Sequence, residues 1–379
     1  MNQKQIGLYI HIPFCKQKCY YCDFPSYSGM EEYWEAYIDA LVSELIIKAE
    51  EYKNPDIMTI FIGGGTPSLI PATYISKVLN TVYKNYNVLP DCESTIECNP
   101  GTLNDEKLRA YKNFGLNRLS IGLQACQDEI LKQLGRIHTF EDFLFSLKLA
   151  QKHEFQNLNA DIIFGIPNQT FADWQDTIDR ILALDLAHIS CYSLLIEDGT
   201  VFGELKEKGL IKEAEDELDR KMYHYAVERF NESGLYQYEI SNFAKPHLRC
   251  RHNMNYWRRG EYLGVGAGAH SHYNKRRFAN TADVSMYIEG VKKGKFILTE
   301  DNHLSKEDEL EESIFLGLRL TEGIDFSVLS KEYGIDLEKK NYKKLEKLIS
   351  QKLVERDGTM LRLTKKGMDL ANAVIVELI

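Results

Sequence analysis

The sequence predicts an α/β fold: a partial, open (β/α)6 barrel followed by a mostly helical, winged-helix-like C-terminal domain. Three observations carry this reading. Six short β-rich runs alternate with longer amphipathic stretches over roughly the first 200 residues, and strands that alternate with helices build parallel sheets. Beyond residue 300 the pattern changes to helical segments around one short hairpin. The chain of 379 residues is long enough for two domains, or for one large barrel with an appendage.

The expected strands cover 8–12, 58–62, 94–98, 118–122, 159–164 and 188–194. The expected helices cover 31–52, 72–86, 105–114, 140–153 and 171–184, each a right-handed crossover between parallel strands. Six units fall short of the eight that close a barrel, so an open one is expected. Residues 213–233 read as one long helix, and 235–280, rich in Gly, Tyr, Arg and His, as loops and short strands. Helices then follow at 307–319, 325–332 and 337–351. Two short β-runs at 353–356 and 360–363 flank Asp357-Gly358, a hairpin signal, before a last helix at 365–378. The division expected is a barrel over 1–235, a loop-rich extension over 236–300 and a winged-helix-like domain over 301–379.

Hydrophobic residues make up 44% and charged residues 27%, the composition of a globular protein. The net charge of −10 disfavours a general grip on nucleic acid, which needs a positive field. Residues 301–379 hold 13 Lys and Arg against 16 Asp and Glu, so the winged-helix pattern reads as structural or partner-binding rather than DNA-binding. There is no run of about 18 apolar residues, hence no transmembrane helix is expected. The polar start at residues 1–7 does not read as a signal peptide. Eight cysteines in a chain of this length are too sparse for a secreted disulfide framework. They suit a cytosolic protein with reduced thiols and one metal site.

That site is Cys15-Lys16-Gln17-Lys18-Cys19-Tyr20-Tyr21-Cys22, a C-x3-C-x2-C loop directly after the first expected strand. Three thiolates in a short polar loop suit a soft, compact metal centre. Structural zinc is a rival, but it wants four protein ligands and the nearest extra candidate is His11. Three buried free cysteines are the blander alternative. A [4Fe–4S] cube on three cysteines leaves one iron open to a small molecule.

Ligands of parallel βα folds gather at the carboxyl ends of the strands. The second strand ends in Gly63-Gly64-Gly65-Thr66, the third in Glu97-Cys98-Asn99, the fourth in Gly122-Leu123-Gln124, and the fifth carries Asp161. Glycines let backbone approach a ligand, and charges on buried strands need partners. Singly each of these reads as structural; four of them around one metal loop read as a pocket. The glycine-rich 264–272 lacks a following helix pattern, so it reads as close backbone packing rather than a dinucleotide site.

The cysteine loop and the βα alternation over about residues 1–200 resemble the radical S-adenosylmethionine (SAM) superfamily. The resemblance implies a [4Fe–4S] cluster on Cys15, Cys19 and Cys22, an electron donor for it, and SAM chelated to the open iron. In that superfamily the cluster's electron splits SAM into methionine and a 5′-deoxyadenosyl radical. The sequence is similar to the oxygen-independent coproporphyrinogen III oxidase branch. Tyr9, Tyr21, Gly64, Gly65, Thr66, Glu97, Gln124, Arg136 and Asp161 stand at that branch's SAM-binding or neighbouring positions. Some of these serve a second SAM in the oxidase, which leaves the number of SAM molecules open.

Two departures separate the chain from the oxidase. Phe24 stands where the oxidase has a further cysteine, and the N-terminal segment before Cys15 is short. Both features resemble the oxidase-like heme chaperones of the HemW type. So does Cys250-Arg251-His252-Asn253-Met254-Asn255-Tyr256-Trp257, whose His-Asn-x-x-Tyr-Trp string is similar to that subgroup's heme motif. The resemblance implies heme on His252, with Cys250 as a competing ligand. Tyr256 and Trp257 would offer flat apolar faces, and Arg249, Arg251, Arg258 and Arg259 would meet propionates. On residue chemistry alone the string also reads as a packing corner.

The function implied is that of a heme chaperone handing heme to acceptor proteins, respiratory hemoproteins at the membrane. The implied location is the cytoplasm with room for peripheral membrane association, and a homodimer is allowed. One alternative is oxidative decarboxylation of coproporphyrinogen III; another is a radical SAM enzyme on an unrelated substrate. Phe24 discriminates against the first alternative and the His252 string against the second.

Overall fold

The computed structural model describes residues 4–379, so the first three residues of the polar start lie outside the described residues. The first strand, β1 (Gln5–Ile12), is buried almost throughout, as expected of a strand covered on both faces. A loop leaves it through β2 (Phe14–Cys15) and returns through β3 (Tyr27–Ser28), which pair in parallel. Five further strands then follow, each after one or two helices. They are reached through α1 (Trp34–Glu51), β4 (Asp56–Gly64), α2 (Ala72–Asn85), β5 (Asn87–Cys98), α3 (Asp105–Asn113), β6 (Arg118–Gln124), α4 (Asp128–Gln133), α5 (Phe140–Lys152), β7 (Asn157–Phe164), α6 (Phe171–Leu182) and β8 (His188–Ser193). Helix starts are set by sequence: Thr139 with Asp142 and Thr170 with Asp173 form capping boxes for α5 and α6.

The second half of the chain adds α7 (Val201–Glu207), α8 (Asp216–Glu232), β9 (Tyr236–Glu239), β10 (Asn242–Ala244), α9 (Arg251–Trp257), β11 (Tyr262–Val265), β12 (His270–Tyr273), β13 (Arg276–Asn280), α10 (Val284–Lys292) and β14 (Leu298–His303). All of these strands join one 12-stranded sheet, in the order β14-β13-β12-β11-β1-β4-β5-β6-β7-β8-β10-β9. Its centre is the expected open α/β barrel: six parallel strands side by side in chain order. β11 extends it in parallel beside β1, and β10 closes on β8 in antiparallel. The alternation of apolar and polar residues did not reveal β14. It is an edge strand of sequence Leu-Thr-Glu-Asp-Asn-His, exposed along most of its length, and charges on an edge blunt further pairing.

The C-terminal domain comprises α11 (Lys306–Gly317), β15 (Ile324–Asp325), α12 (Phe326–Tyr333), α13 (Leu337–Ser350), β16 (Val354–Asp357), β17 (Met360–Leu363), α14 (Lys365–Asp369) and α15 (Ala371–Leu378). Its helices pack with a three-stranded sheet around a separate core that includes Leu310, Leu337, Leu348, Leu363 and Val374. The hairpin falls where Asp357-Gly358 signals it. The single helix expected at 365–378 is broken at Leu370. Asp369, just before the break, accepts from His224 Nε2 at 3.0 Å and so ties the break to α8. The domain also docks on the barrel sheet through charge: Arg259 and Lys275 meet Glu309 at 2.7 and 2.8 Å, and Arg277 pairs with Glu312. No helix among the described residues is long and apolar enough to cross a membrane.

Candidate functional site

Side chains alternate across a strand, so each barrel strand sends every second residue inward. Here the inward set is polar. Glu97 on β5, Ser120 and Gly122 on β6, Asp161 on β7 and Tyr192 on β8 line one cavity at the carboxyl end of the sheet. Its volume is about 430 Å³, and the cysteine loop forms its other wall through Cys15, Cys19, Tyr21 and Cys22. Ring closure by β2 and β3 fixes the two ends of that loop, with Tyr27 N–H donating to Pro13 O at 2.7 Å. The glycine turn after β4 runs alongside: Gly65 N–H donates to Ile12 O and Thr66 N–H to Phe14 O, both at 2.8 Å. A Cβ on Gly65 would lie 2.8 Å from Phe14 O and 3.0 Å from Cys15 Sγ. Only glycine lets the turn and the cysteine loop approach this closely.

Arg136, Glu97 and Asp161 each have defined partners in the cavity. Arg136 Nη2 donates to Asn99 Oδ1 at 2.9 Å and to Gly122 O at 2.8 Å, while its Nη1 lies 3.3 Å from Cys19 Sγ. Gly64 N–H donates to Glu97 Oε2 at 2.9 Å. Asp161 accepts from Asn159 Nδ2 at 2.7 Å and from the Ser120 hydroxyl at 3.2 Å. Gln124, at the end of β6, holds φ at +75°, a backbone strain that non-glycine residues carry where a site requires it. Burial raises the Cys15 and Cys22 thiols, so deprotonation there calls for a cation. Among the described residues no three His, Cys, Asp or Glu side chains converge on a point suited to a single metal ion. The three cysteines instead border the open cavity. Three thiols, two facing carboxylates and one guanidinium fit a cluster together with a small molecule that carries amino, carboxylate and hydroxyl groups.

Glu97 also gives the pocket a pH dependence. Burial, and then the facing Asp161, pushes its carboxyl up to about 8, and burial raises Asp161 too. In the unfolded chain such carboxyls ionise near pH 4. The folded state therefore binds the extra proton between roughly pH 4.5 and 8, and stability falls as pH rises through that window. The wild type is expected to lose melting temperature between about pH 5 and pH 9, and Glu97→Gln to lose less. Equal losses in the two proteins would mean that Glu97 is already ionised throughout.

The structure brings Cys15, Cys19, Tyr21, Cys22, Gly64, Gly65, Thr66, Glu97, Gln124, Arg136 and Asp161 to this one cavity. Tyr9 lies one layer deeper, its hydroxyl 2.9 Å from His11 Nδ1 and its ring beside Phe61. Phe24, the position that departs from the oxidase, is 62% exposed at the cavity. Sequence reading missed Ser120, Tyr192 and the segment Leu194–Leu195 as lining residues. Ser120 and Tyr192 were reachable in principle, since each lies two residues from another inward position on its strand.

His252 is not in this cavity. The sequence places its string outside the six-stranded core; in the structure α9 caps the core's opposite end and sends His252 into it. The imidazole is 1% exposed, and its two nitrogens lie 2.8 Å from the Thr59 and Tyr256 hydroxyls. Its ring stacks on Phe61. Burial, helped by Arg118, lowers its pKa to about 3. Glu93 on β5 caps the helix by accepting from the Arg251 and His252 amides at 3.0 and 3.1 Å. Cys250 is fully buried, and burial pushes its thiol up to about 12. Arg259 is taken up by Glu309 and Glu312 of α11.

Comparison with known proteins agrees with this architecture. Residues 9–181 match the Radical SAM superfamily, and residues 304–370 match the HemN C-terminal domain. The heme chaperone HemW of Bacillus subtilis (strain 168) is 36% identical over 97% of this chain and 97% of its own length. The heme chaperone HemW of Lactococcus lactis is 34% identical over 99% of this chain and 97% of its own. Among solved structures, coproporphyrinogen III oxidase (HemN) from Escherichia coli superposes with a TM-score of 0.87 at 22% identity, covering 99% of this chain and 90% of that one.

Proposed function

We propose that this chain, which belongs to the HemW family of the radical SAM superfamily, is a heme chaperone that binds heme and hands it to acceptor hemoproteins. The observation that carries the reading is end-to-end similarity, above 30% identity, to two chaperones over nearly the whole of both chains. The division of labour follows the chain. The barrel of residues 1–235 would hold the cluster and SAM, residues 236–300 would carry heme, and residues 301–379 would support the barrel or face a partner.

Cys15, Cys19 and Cys22 would ligate a [4Fe–4S] cluster, which as a bound group supplies one electron at low potential. Around it, Arg136 neutralises charge beside Cys19 and positions Asn99. Glu97 and Asp161 offer acceptors to the ammonium or hydroxyl groups of SAM, and Gly64 and Gly65 leave room for its approach. Tyr21 and Tyr192 line the cavity from its two walls.

The oxidase reading is disfavoured by position 24, where an exposed phenyl ring borders the cavity. Cluster-loaded protein given coproporphyrinogen III, SAM and reductant without oxygen is expected to form no protoporphyrinogen IX. The same protein loaded with heme is expected to pass it to an apo-hemoprotein, read as recovery of that acceptor's absorption spectrum. Steady porphyrinogen turnover would make the chain an oxidase instead, and failure to donate heme to any acceptor would remove the chaperone reading.

A further inference from the structure

The end of the barrel opposite the cysteines carries a second cavity, of about 700 Å³, within the size range of small-molecule and cofactor sites. Met58, Tyr236, Ala244, Pro246 and Met254 give it an apolar lining. Arg249, Arg251 and Arg258 line it as well, together with His247. Glu322 is shared between Arg258 at 2.8 Å and Arg249 at 3.8 Å, so one carboxylate faces two guanidinium groups and positive charge remains. An apolar floor with cations beside it suits a flat apolar ligand that carries carboxylates.

His247 has what His252 lacks. His252 is sealed inside the barrel with both nitrogens engaged. His247 is exposed, and among the described residues its imidazole makes no hydrogen bond or ion pair. Its position is set by a turn: Leu248 N–H donates to Lys245 O at 3.1 Å, Pro246 occupies the second position, and His247 the third with φ at +67°. Proline followed by a positive φ is the signature of a type II turn, and such a turn holds its third side chain outward.

Resting on the chaperone reading, we propose that heme docks in this cavity, with His247 as the ligand to iron and Arg249 and Arg258 on its propionates. Neutral imidazole nitrogen is a common axial ligand, and the Met58 and Met254 thioethers are soft, adaptable packing partners for a macrocycle. Such a site lies on the far side of the barrel from the cysteine cavity. Heme could therefore pass to a partner while the SAM pocket stays closed.

The test titrates the full-length protein with hemin and, in parallel, with iron-free protoporphyrin IX, following absorption and tryptophan quenching. The wild type is expected to bind about one of either per chain, and hemin should shift its Soret band. His247→Gly suits the left-handed backbone and should fold unchanged. It is expected to lose the hemin shift and at least tenfold of hemin affinity while keeping affinity for protoporphyrin IX. Arg249→Ala with Arg258→Ala should weaken both porphyrins alike, and His252→Gln, checked for folding by its melting curve, should retain the shift. If His247→Gly binds hemin like the wild type, or only His252→Gln loses the shift, the assignment is overturned while the chaperone reading stands. If the wild type binds neither porphyrin, the chaperone reading fails and takes the assignment with it.

Discussion

Cys19→Ala protein, reconstituted anaerobically with iron and sulfide, is expected to hold close to none of the roughly four iron and four sulfide per chain that the wild type should hold. The expectation follows from the loop's construction. Cys15, Cys19 and Cys22 lie on one side of a single cavity, and the loop that bears them is fixed at both ends by pairing of β2 with β3. A cube with three protein ligands has no spare one, so loss of any one thiolate leaves two irons unsupported by protein. Cys15→Ala and Cys22→Ala should behave alike. Cys92→Ala and Cys126→Ala are the controls: both thiols are buried away from the cavity, and burial pushes each up to about 12. Iron and sulfide content, with the cluster's visible absorption, decides the matter. Full iron content in Cys19→Ala, or its loss in Cys92→Ala, would mean that the cluster sits elsewhere. Stoichiometric zinc with no sulfide in the wild type would mean that the loop serves another metal.

The cavity was legible in the sequence because it is built from strand ends and a short loop, and both carry local signatures. Glycine after a β-run, a carboxylate at the end of an apolar run and three closely spaced cysteines are each visible within a few residues. The strand order was legible for a related reason: successive βα units lie side by side in most such folds. What was not legible depends on long-range packing. Nothing local to His252 says that its ring will meet Thr59, 193 residues earlier in the chain. Nothing in the polar β14 says that it will pair with β13, because an exposed edge strand has no buried face to impose alternation. The same limit applies to His247, whose significance lies in what surrounds it rather than in its neighbours in sequence.

The interior of the barrel supplies the second large effect. Arg118→Met is expected to destabilise the barrel by about 1–3 kcal/mol, the cost of taking a buried cation away from the His188 imidazole it touches and the carboxylates that face it. Arg118 points inward from β6, is 2% exposed and leaves its Nε without a hydrogen-bond partner. Cys250, Glu93, Tyr238 and Asp161 all act on its charge from within the barrel. Glu93 caps α9, and Asp161 lines the cysteine cavity, so this one guanidinium stands between the two ends of the barrel. Methionine keeps much of the side-chain length, which limits the cavity left behind and makes the loss a measure of charge. Urea unfolding followed through the fluorescence of Trp34, Trp174 and Trp257 reads the transition. Adding Glu93→Gln or Asp161→Asn to Arg118→Met should then restore part of the loss, with a coupling of about 0.5–3 kcal/mol, because the buried negative charge that lost its facing cation is gone. Should Arg118→Met unfold within about 1 kcal/mol of the wild type, or the double variants prove simply additive, water or protonated carboxyl groups must satisfy the interior. The loss of Arg118 should also reach α9. With Glu93 neutralised or displaced the helix loses its cap, and amide hydrogen exchange at Arg251 and His252 is expected to quicken before the rest of the sheet opens.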